Sequence, residues 1–83
     1  MKEIIDVKHV KPIDDYKLLI LFSNGEKKEY DVKPLLKSPI YKPLKSKALF
    51  NKVHAKYGAP VWNNKIDIAP ETVYKYSVPI SKN

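Results

Sequence analysis

The chain lacks cysteine altogether, and this absence excludes several classes of site at once. Without thiolates it can form no disulfide bond, no cysteine-ligated zinc site and no cysteine-based active site. Its two glycines are too few for a phosphate-cradling loop, which needs several small residues in close succession. No serine stands in the Gly-x-Ser-x-Gly pattern of a hydrolase nucleophile. These absences predict a protein that is not an enzyme and that holds no cofactor.

Long apolar runs are also missing, since no stretch approaches the roughly 18 residues that a membrane-spanning helix needs. The first six residues include acids where a signal peptide would have its apolar core. We therefore expect a cytoplasmic protein without membrane contact. Of the 83 residues, 43% are hydrophobic and 30% are charged, which predicts one globular domain over residues 1–83 with a modest core.

Histidine is scarce, and neither His9 nor His54 has a second metal ligand at a recognisable spacing. We therefore expect no metal site, and exposed or half-buried structural positions for both residues. Asp14 and Asp15 form an adjacent acidic pair. Because neighbours in a turn point apart, a solvated loop is favoured over acid–base chemistry.

Arginine is absent, and all sixteen basic residues are lysine. Residues 32–66 carry eight lysines and no acid, whereas residues 1–31 carry six lysines and seven acids. The net charge of +7 therefore originates in the middle of the chain. Such a segment attracts phosphate or an acidic protein surface. The lack of arginine, the usual bidentate reader of phosphate and guanine, favours a solvated basic face over a nucleic-acid interface.

Residues 16–22 are the strongest predicted strand, because they are apolar on nearly both faces, which is typical of a central strand. Residues 4–11 alternate loosely and predict an edge strand that ends near Pro12, since proline cannot donate to a strand ladder. After Asn24-Gly25, residues 27–32 return as the second strand of a hairpin.

The loop length of this hairpin follows from which residues it pairs. A three-residue loop from Ser23 to Gly25 sets Leu18 opposite Tyr30 and Lys17 opposite Asp31. A two-residue loop would instead set Leu18 opposite Asp31, mixing the two faces. We therefore predict the three-residue loop, with Gly25 in a left-handed conformation at a bulge.

Three prolines within residues 34–43 exclude a long helix, so short helical turns are expected at 34–36 and at 46–50, the second with Ser46 as its N-cap. The apolar residues of this segment are expected to anchor it on the sheet: Leu35, Leu36, Ile40, Tyr41, Leu44, Leu49 and Phe50.

Residues 51–57 alternate again, with Tyr57 on the same face as Val53, and predict a second hairpin that turns at residues 58–60. Pro70 suits the first position of a further helix, and Asp67 could accept hydrogen bonds from the free amides at its start. These elements predict an α+β fold: a small antiparallel sheet of two hairpins plus an edge strand, with short helices packed on one face.

Trp62, the only tryptophan, has two interpretations. It can pack in the core with its N–H on a carbonyl, or lie exposed beside the lysines and stack on a base or a partner. Packing is favoured, because small domains rely on aromatic residues for burial.

Taken together, several segments resemble the bacterial family catalogued as domain of unknown function 2442. The resemblance covers nearly the whole chain, and only the turn between Trp62 and Asp67 departs from it, by lacking a glycine. The segments that carry it are Asp15-Tyr16, Leu18 to Phe22, Asn24-Gly25, Tyr30 to Leu36, Leu49-Phe50, Val61-Trp62 and Asp67 to Tyr74.

This resemblance implies a compact α+β domain and no particular activity. It also implies that similar proteins stand alone or are fused to a helix-turn-helix domain. The resemblance further implies that those that stand alone are often encoded beside another small protein, an arrangement similar to toxin–antitoxin pairs.

The leading hypothesis is a non-enzymatic protein-binding module, antitoxin-like or regulatory, whose partner is a neighbouring small protein. The alternative is a basic regulator that associates with nucleic acid, and an enzyme is the least favoured class. The oligomeric state stays open. In either favoured case the contact is predicted to use the lysines of the middle segment: Lys33, Lys37, Lys42, Lys45, Lys47, Lys52 and Lys56. A protein partner could instead contact an open sheet edge.

Overall fold

The structure, a computed structural model, describes residues 5–80 as a four-stranded antiparallel sheet, a separate two-stranded hairpin and short helices. The predicted α+β class is confirmed. The order of strands in the larger sheet is β1-β2-β3-β6, and the smaller sheet pairs β4 with β5. The strands are β1 (Val7–Ile13), β2 (Lys17–Phe22), β3 (Lys27–Asp31), β4 (His54–Lys56), β5 (Ala59–Val61) and β6 (Val78–Pro79), and the helices are the 3-10 helices η1 (Lys33–Lys37) and η2 (Lys42–Lys45), α1 (Lys47–Phe50) and α2 (Pro70–Tyr76).

The β2–β3 hairpin has the predicted register. Leu18 lies opposite Tyr30 and Lys17 opposite Asp31, so apolar residues pair with each other and opposite charges face each other. Gly25 adopts a φ of +91°, the left-handed conformation that the three-residue loop requires. The loop prediction is therefore confirmed.

β1 runs two residues further than predicted, through Pro12 to Ile13, because it lies at the border of the sheet, where a missing N–H costs little. A bulge at Lys8 interrupts its pairing with β2, between Val7 and His9.

The turn from β1 to β2 occupies Asp14 to Tyr16, so the expectation that Tyr16 begins the strand was wrong. Tyr16 has a φ of +58°, which is unfavourable for a bulky residue. Its contacts compensate for this conformation. The hydroxyl donates to the backbone oxygen of Lys45 at 2.5 Å, and the ring packs edge-on against Phe50 at 5.3 Å.

The two faces of the larger sheet differ in what covers them. On one face, Leu18, Ile20 and Phe22 are fully buried in the core. On the other face Leu19 and Leu21 are only half-buried. The strand pairing sets the residues of this outer face in three rows, none of whose members is fully buried: His9–Leu21–Lys27, Lys11–Leu19–Glu29–Val78, and Ile13–Lys17–Asp31.

The proline-rich segment forms η1, η2 and α1, of which η2 was not predicted. Leu36, Leu44 and Phe50 fix these three helices to the core. As predicted, Ser46 caps α1, accepting a hydrogen bond from the N–H of Leu49. Ile40 was expected among the anchors, but it is 62% exposed, because it lies in the turn between the two 3-10 helices.

The second hairpin is shorter than predicted. Its turn is Tyr57-Gly58, and β4 covers three residues that are all exposed. Val53 is buried just before the strand, whereas Tyr57 is 92% exposed, so the expected shared face was wrong. The alternation of apolar residues ran past the end of the strand into the turn.

α2 begins at Pro70 as predicted, and its residue Val73 is fully buried. Asp67 does not cap it, since the N-cap position is Ala69 and no side chain accepts from the helix start. After α2, the two residues of β6 pair with β3, a strand that proline at position 79 concealed in the sequence. The frayed tail expected at residues 81–83 lies outside the described residues.

Among residues 5–80, no helix is long and apolar enough to cross a membrane.

Candidate binding surface

Lys33 is already engaged within the fold. Its Nζ lies 3.0 Å from Oδ2 of Asp15 and 3.1 Å from Oδ1 of Asp31, and it donates to the backbone oxygen of Asp15 at 2.9 Å. The hydrogen bond to Asp15 raises the pKa of Lys33 above its ordinary 10.5, and the same bond lowers the pKa of Asp15 below 3.8. This lysine therefore fixes the turn before β2 and contributes little free charge.

Lys47 also lies beside this acidic turn. Together with Asp14 and Asp15 it lines a small cavity of about 160 Å³ against Phe50. Its charge helps to lower the pKa of Asp15, although less than Lys33 does. Lys47 is exposed and forms no ion pair with any carboxylate of residues 5–80.

Three further lysines lie on the 3-10 helices. Lys42 and Lys45 are three residues apart in η2, and because a 3-10 helix has three residues per turn, they project from the same side. Lys37 ends η1, which packs against η2. All three side chains are exposed, and none meets a carboxylate partner in the part of the chain that the structure describes.

The last two predicted lysines, Lys52 and Lys56, belong to the second hairpin and its approach. Both are exposed, and so is His54 between them. The Nζ of Lys56 lies 5.5 Å from the ring centre of Tyr57. β4 and β5 pack beside β1, where Lys8 and Lys11 are also exposed. This hairpin therefore carries positive charge around one aromatic ring.

The predicted site residues thus divide into two groups. Lys33 is held in an ion-pair cluster, while the other six occupy exposed positions along the chain from the end of η1 to β4. No acidic residue interrupts residues 32–66, so no carboxylate of that segment neutralises them. We call these six the lysine series: Lys37, Lys42, Lys45, Lys47, Lys52 and Lys56.

An apolar groove lies on another part of the surface, where β6 stops after two residues and leaves the rest of β3 uncovered. It has a volume of about 640 Å³. Its apolar walls come from η1, α2 and β6, and three charged residues of β2 and β3 also line it: Pro34, Leu35, Thr72, Tyr76 and Val78, with Lys17, Glu29 and Asp31. Tyr30 also lines the groove, and burial raises the pKa of its hydroxyl above the ordinary 10.0.

Metal-binding clusters of side chains are not formed by residues 5–80. His9 and His54 are exposed on separate strands, as expected, and no group of three His, Asp or Glu residues is arranged to hold a metal ion. Trp62 is 3% exposed and its Nε1–H donates to the backbone oxygen of Phe50, which confirms the packing interpretation over the stacking one.

Sequence reasoning overlooked Tyr57 as a candidate binding residue. The dipeptide Tyr57-Gly58 was the available signal, because glycine as the second residue of a two-residue loop is typical of type I′ hairpin turns. Such a turn places its first residue at the tip of the hairpin and out of the core.

Comparisons with known proteins agree with the fold described above. The sequence profile of the family described as "Protein of unknown function (DUF2442)" matches residues 7–79, as the resemblance implied. The crystal structure of "Putative DNA Binding Protein NE0471" from Nitrosomonas europaea ATCC 19718 is similar in fold, with a TM-score of 0.78 and 28% sequence identity. The match covers 93% of this chain and 52% of that one, so this chain spans about half of that protein. No curated protein matches the chain.

Proposed function

Because the chain belongs to the DUF2442 family, whose name assigns no activity, we propose a function from its own surface: a non-enzymatic module that binds the phosphate backbone of nucleic acid. The lysine series carries this proposal. It comprises six exposed lysines on consecutive elements, without an ion-pair partner among residues 5–80 and without an acid in residues 32–66. Lysines that neutralise phosphates release counterions from nucleic acid, which is the main source of sequence-independent affinity.

The exclusive use of lysine determines the kind of binding that we expect. An ammonium group meets phosphate as a point charge, whereas the planar fork of arginine reads guanine edges in a bidentate manner. A surface with lysine alone therefore suits binding that tolerates many sequences. The name of the Nitrosomonas protein supports an association of this fold with nucleic acid. Since the chain spans 52% of that protein, the name does not indicate which residues make the contact.

The test is the salt dependence of binding to a labelled duplex and a labelled single strand, measured by fluorescence anisotropy. We expect the affinity of the native chain to fall steeply with salt. Replacing Lys42 and Lys45 by Gln should reduce the slope of log K against log salt by about 0.7–0.9 for each phosphate that the variant no longer neutralises.

The matched control is the double variant Lys27→Gln with Lys75→Gln, which removes the same charge from exposed positions outside residues 32–66. It should change the slope less than the Lys42 and Lys45 variant does. An equal change in both variants would show a general effect of net charge and would overturn the assignment to the lysine series. A native chain that binds neither nucleic acid would overturn the function itself.

Binding of a small protein, the leading hypothesis from the sequence, is the second candidate, and the apolar groove beside β3 favours it. Tyr76 and Val78 at this groove are 62% and 63% exposed, which is unusual for large apolar side chains close together. A protein held there would bind through apolar contact, so its affinity should hardly change with salt. Pull-down at high salt with the native chain and with the double variant Tyr76→Ser, Val78→Ser separates this mode from phosphate binding. A protein that the native chain retains and the variant releases supports the groove.

A further inference from the structure

The tip of the β4–β5 hairpin has an unusual residue for its conformation. Lys56 pairs with Ala59, so the loop consists of Tyr57 and Gly58 alone. Both have positive φ, +54° and +77°, as a type I′ turn demands. Asparagine, aspartate and glycine are the residues that tolerate the first of these positions, and a bulky ring there is an outlier.

A comparison with Tyr16 shows what makes Tyr57 different. Tyr16 also has a positive φ, but its ring packs on Phe50 and its hydroxyl is hydrogen-bonded, so contacts offset the strain. Tyr57 is 92% exposed, and its hydroxyl has no hydrogen-bond partner in the described part of the chain. Within the fold, this ring lies near the exposed Lys56, and that contact offsets little of the strain. A strained residue that the core does not need is a marker of function.

The tip is also held firmly in place. The N–H of Val7 donates to the backbone oxygen of Gly58 at 2.8 Å, which ties the turn to β1. A side chain on Gly58 would meet Oδ1 of Asp6 at 2.6 Å, so the backbone of the turn lies directly against that residue. The ring of Tyr57 is thus presented from a fixed base, which reduces the entropy lost when a ligand stacks on it.

The charge around the ring suits an anionic ligand. Lys56 lies over the ring face, and Lys52, His54 and Lys8 are exposed on the neighbouring turn and strands. Two acids of the described residues lie beside the hairpin: Asp6 at Gly58, and Asp67, whose backbone pairs with Val61 at the end of β5. The outer face of the larger sheet has no Phe, Tyr or Trp in its three rows and one histidine, His9, so it lacks the set of large aromatic rings on which many sheets stack single strands.

We propose that Tyr57 is a base-stacking residue and that the β4–β5 hairpin binds unpaired nucleotides, with the ring against a base and Lys52 and Lys56 on the adjacent phosphates. This inference rests on the proposed function and makes it more specific, since it names single-stranded nucleic acid as the preferred ligand. A base in a duplex is already stacked on both faces and offers no free face to the ring, whereas every unpaired base does.

The experiment compares the native chain with Tyr57→Asn and Tyr57→Phe on a labelled oligothymidylate and on a duplex of equal length. Asparagine suits the first position of a type I′ turn, so Tyr57→Asn should raise the melting temperature while weakening single-strand binding about 10-fold. Tyr57→Phe keeps the ring and should bind as the native chain does. Duplex affinity should stay within about 2-fold in both variants, and the salt slope should not change, because every lysine that meets phosphate is retained.

A second measurement locates the contact. A single strand with 5-bromouracil in place of thymine should form a photo-crosslink to Tyr57, identified by mass spectrometry of the digested complex. Undiminished single-strand binding by Tyr57→Asn, or an equal loss on both ligands, would overturn the stacking role. In that case a salt slope that still depends on Lys42 and Lys45 would leave the proposed function standing. A native chain without affinity for either ligand would overturn both the stacking role of Tyr57 and the proposed function.

Discussion

The indole Nε1–H of Trp62 donates a hydrogen bond of 3.0 Å to the backbone oxygen of Phe50, and the two rings lie 6.2 Å apart. The residue that follows β5 is thereby joined to the last residue of α1. Both side chains are almost fully buried, so this bond holds the middle helices against the second hairpin in a region that water does not reach.

Replacing Trp62 by Phe should lower the free energy of unfolding by about 1–3 kcal/mol, because it removes the donor and leaves the Phe50 carbonyl with the long 3.4 Å bond from the N–H of Val53. Urea denaturation followed by circular dichroism measures this change. Tyr76→Phe, which removes a hydroxyl from a side chain that is 62% exposed, is the control and should change the stability by less than about 0.5 kcal/mol. Equal stability of Trp62→Phe and the native chain would contradict the role of the bond.

The two glycines should respond differently to alanine. Both have positive φ, so each substitution costs about 1 kcal/mol through backbone strain. A Cβ on Gly25 would meet no atom within 4 Å, whereas one on Gly58 would lie 2.6 Å from Asp6. Gly58→Ala should therefore destabilise the fold clearly more than Gly25→Ala in thermal unfolding. The reverse order would mean that the hairpin does not rest on Asp6.

The Lys33–Asp15 ion pair predicts a pH dependence with a definite sign. The pKa of Asp15 is lowered in the fold, so its stabilising effect is present above pH 3.8 and is lost as the pH falls through the lowered value. The pKa of Lys33 is raised, so its effect is present below pH 10.5 and is lost as the pH rises through the raised value. Asp15→Asn should thus have a slightly lower melting temperature than the native chain between these limits.

That difference should be small, since both groups are exposed and water screens their attraction, and it should shrink at higher salt. Below the lowered pKa of Asp15 the two melting curves should converge. A difference that persists in strong acid would mean that Asp15 acts through the backbone of its turn instead of through its charge.

Leu44 and Ile40 provide a matched pair for the middle segment. Leu44 is fully buried and Ile40 is 62% exposed, although the sequence suggested that both were anchors. Leu44→Ala should cost about 2–5 kcal/mol in the free energy of unfolding, through reduced burial and a residual cavity. Ile40→Ala should change it by less than about 0.5 kcal/mol. Comparable losses at both positions would place Ile40 in the core.

The hairpin of β2 and β3 could be predicted from the sequence because its residues constrain each other. The register that pairs Leu18 with Tyr30 also pairs Lys17 with Asp31, and a slip by one residue would violate both. The burial of Trp62 was also predictable, since a small core needs its largest aromatic residue.

The remaining features depend on contacts between distant parts of the chain. The left-handed conformation of Tyr16 follows from its bond to Lys45, which local propensity does not reveal. Lys33 forms ion pairs with two acids outside residues 32–66. The count of charges within that segment therefore overstated the free positive charge. β6 was not predicted because it contains a proline. It forms a strand because it pairs with the edge of β3.

The bulge at Lys8 and the proline at position 12 have a consequence for how the molecule behaves among its own copies. A strand from a second molecule that paired with this border would lack one N–H partner at Pro12. It would also meet an irregular hydrogen-bond register at the bulge and the exposed ammonium groups of Lys8 and Lys11. We therefore expect this border to resist growth into fibrils, so that concentrated solutions stay clear where a flat, uncharged border would gel.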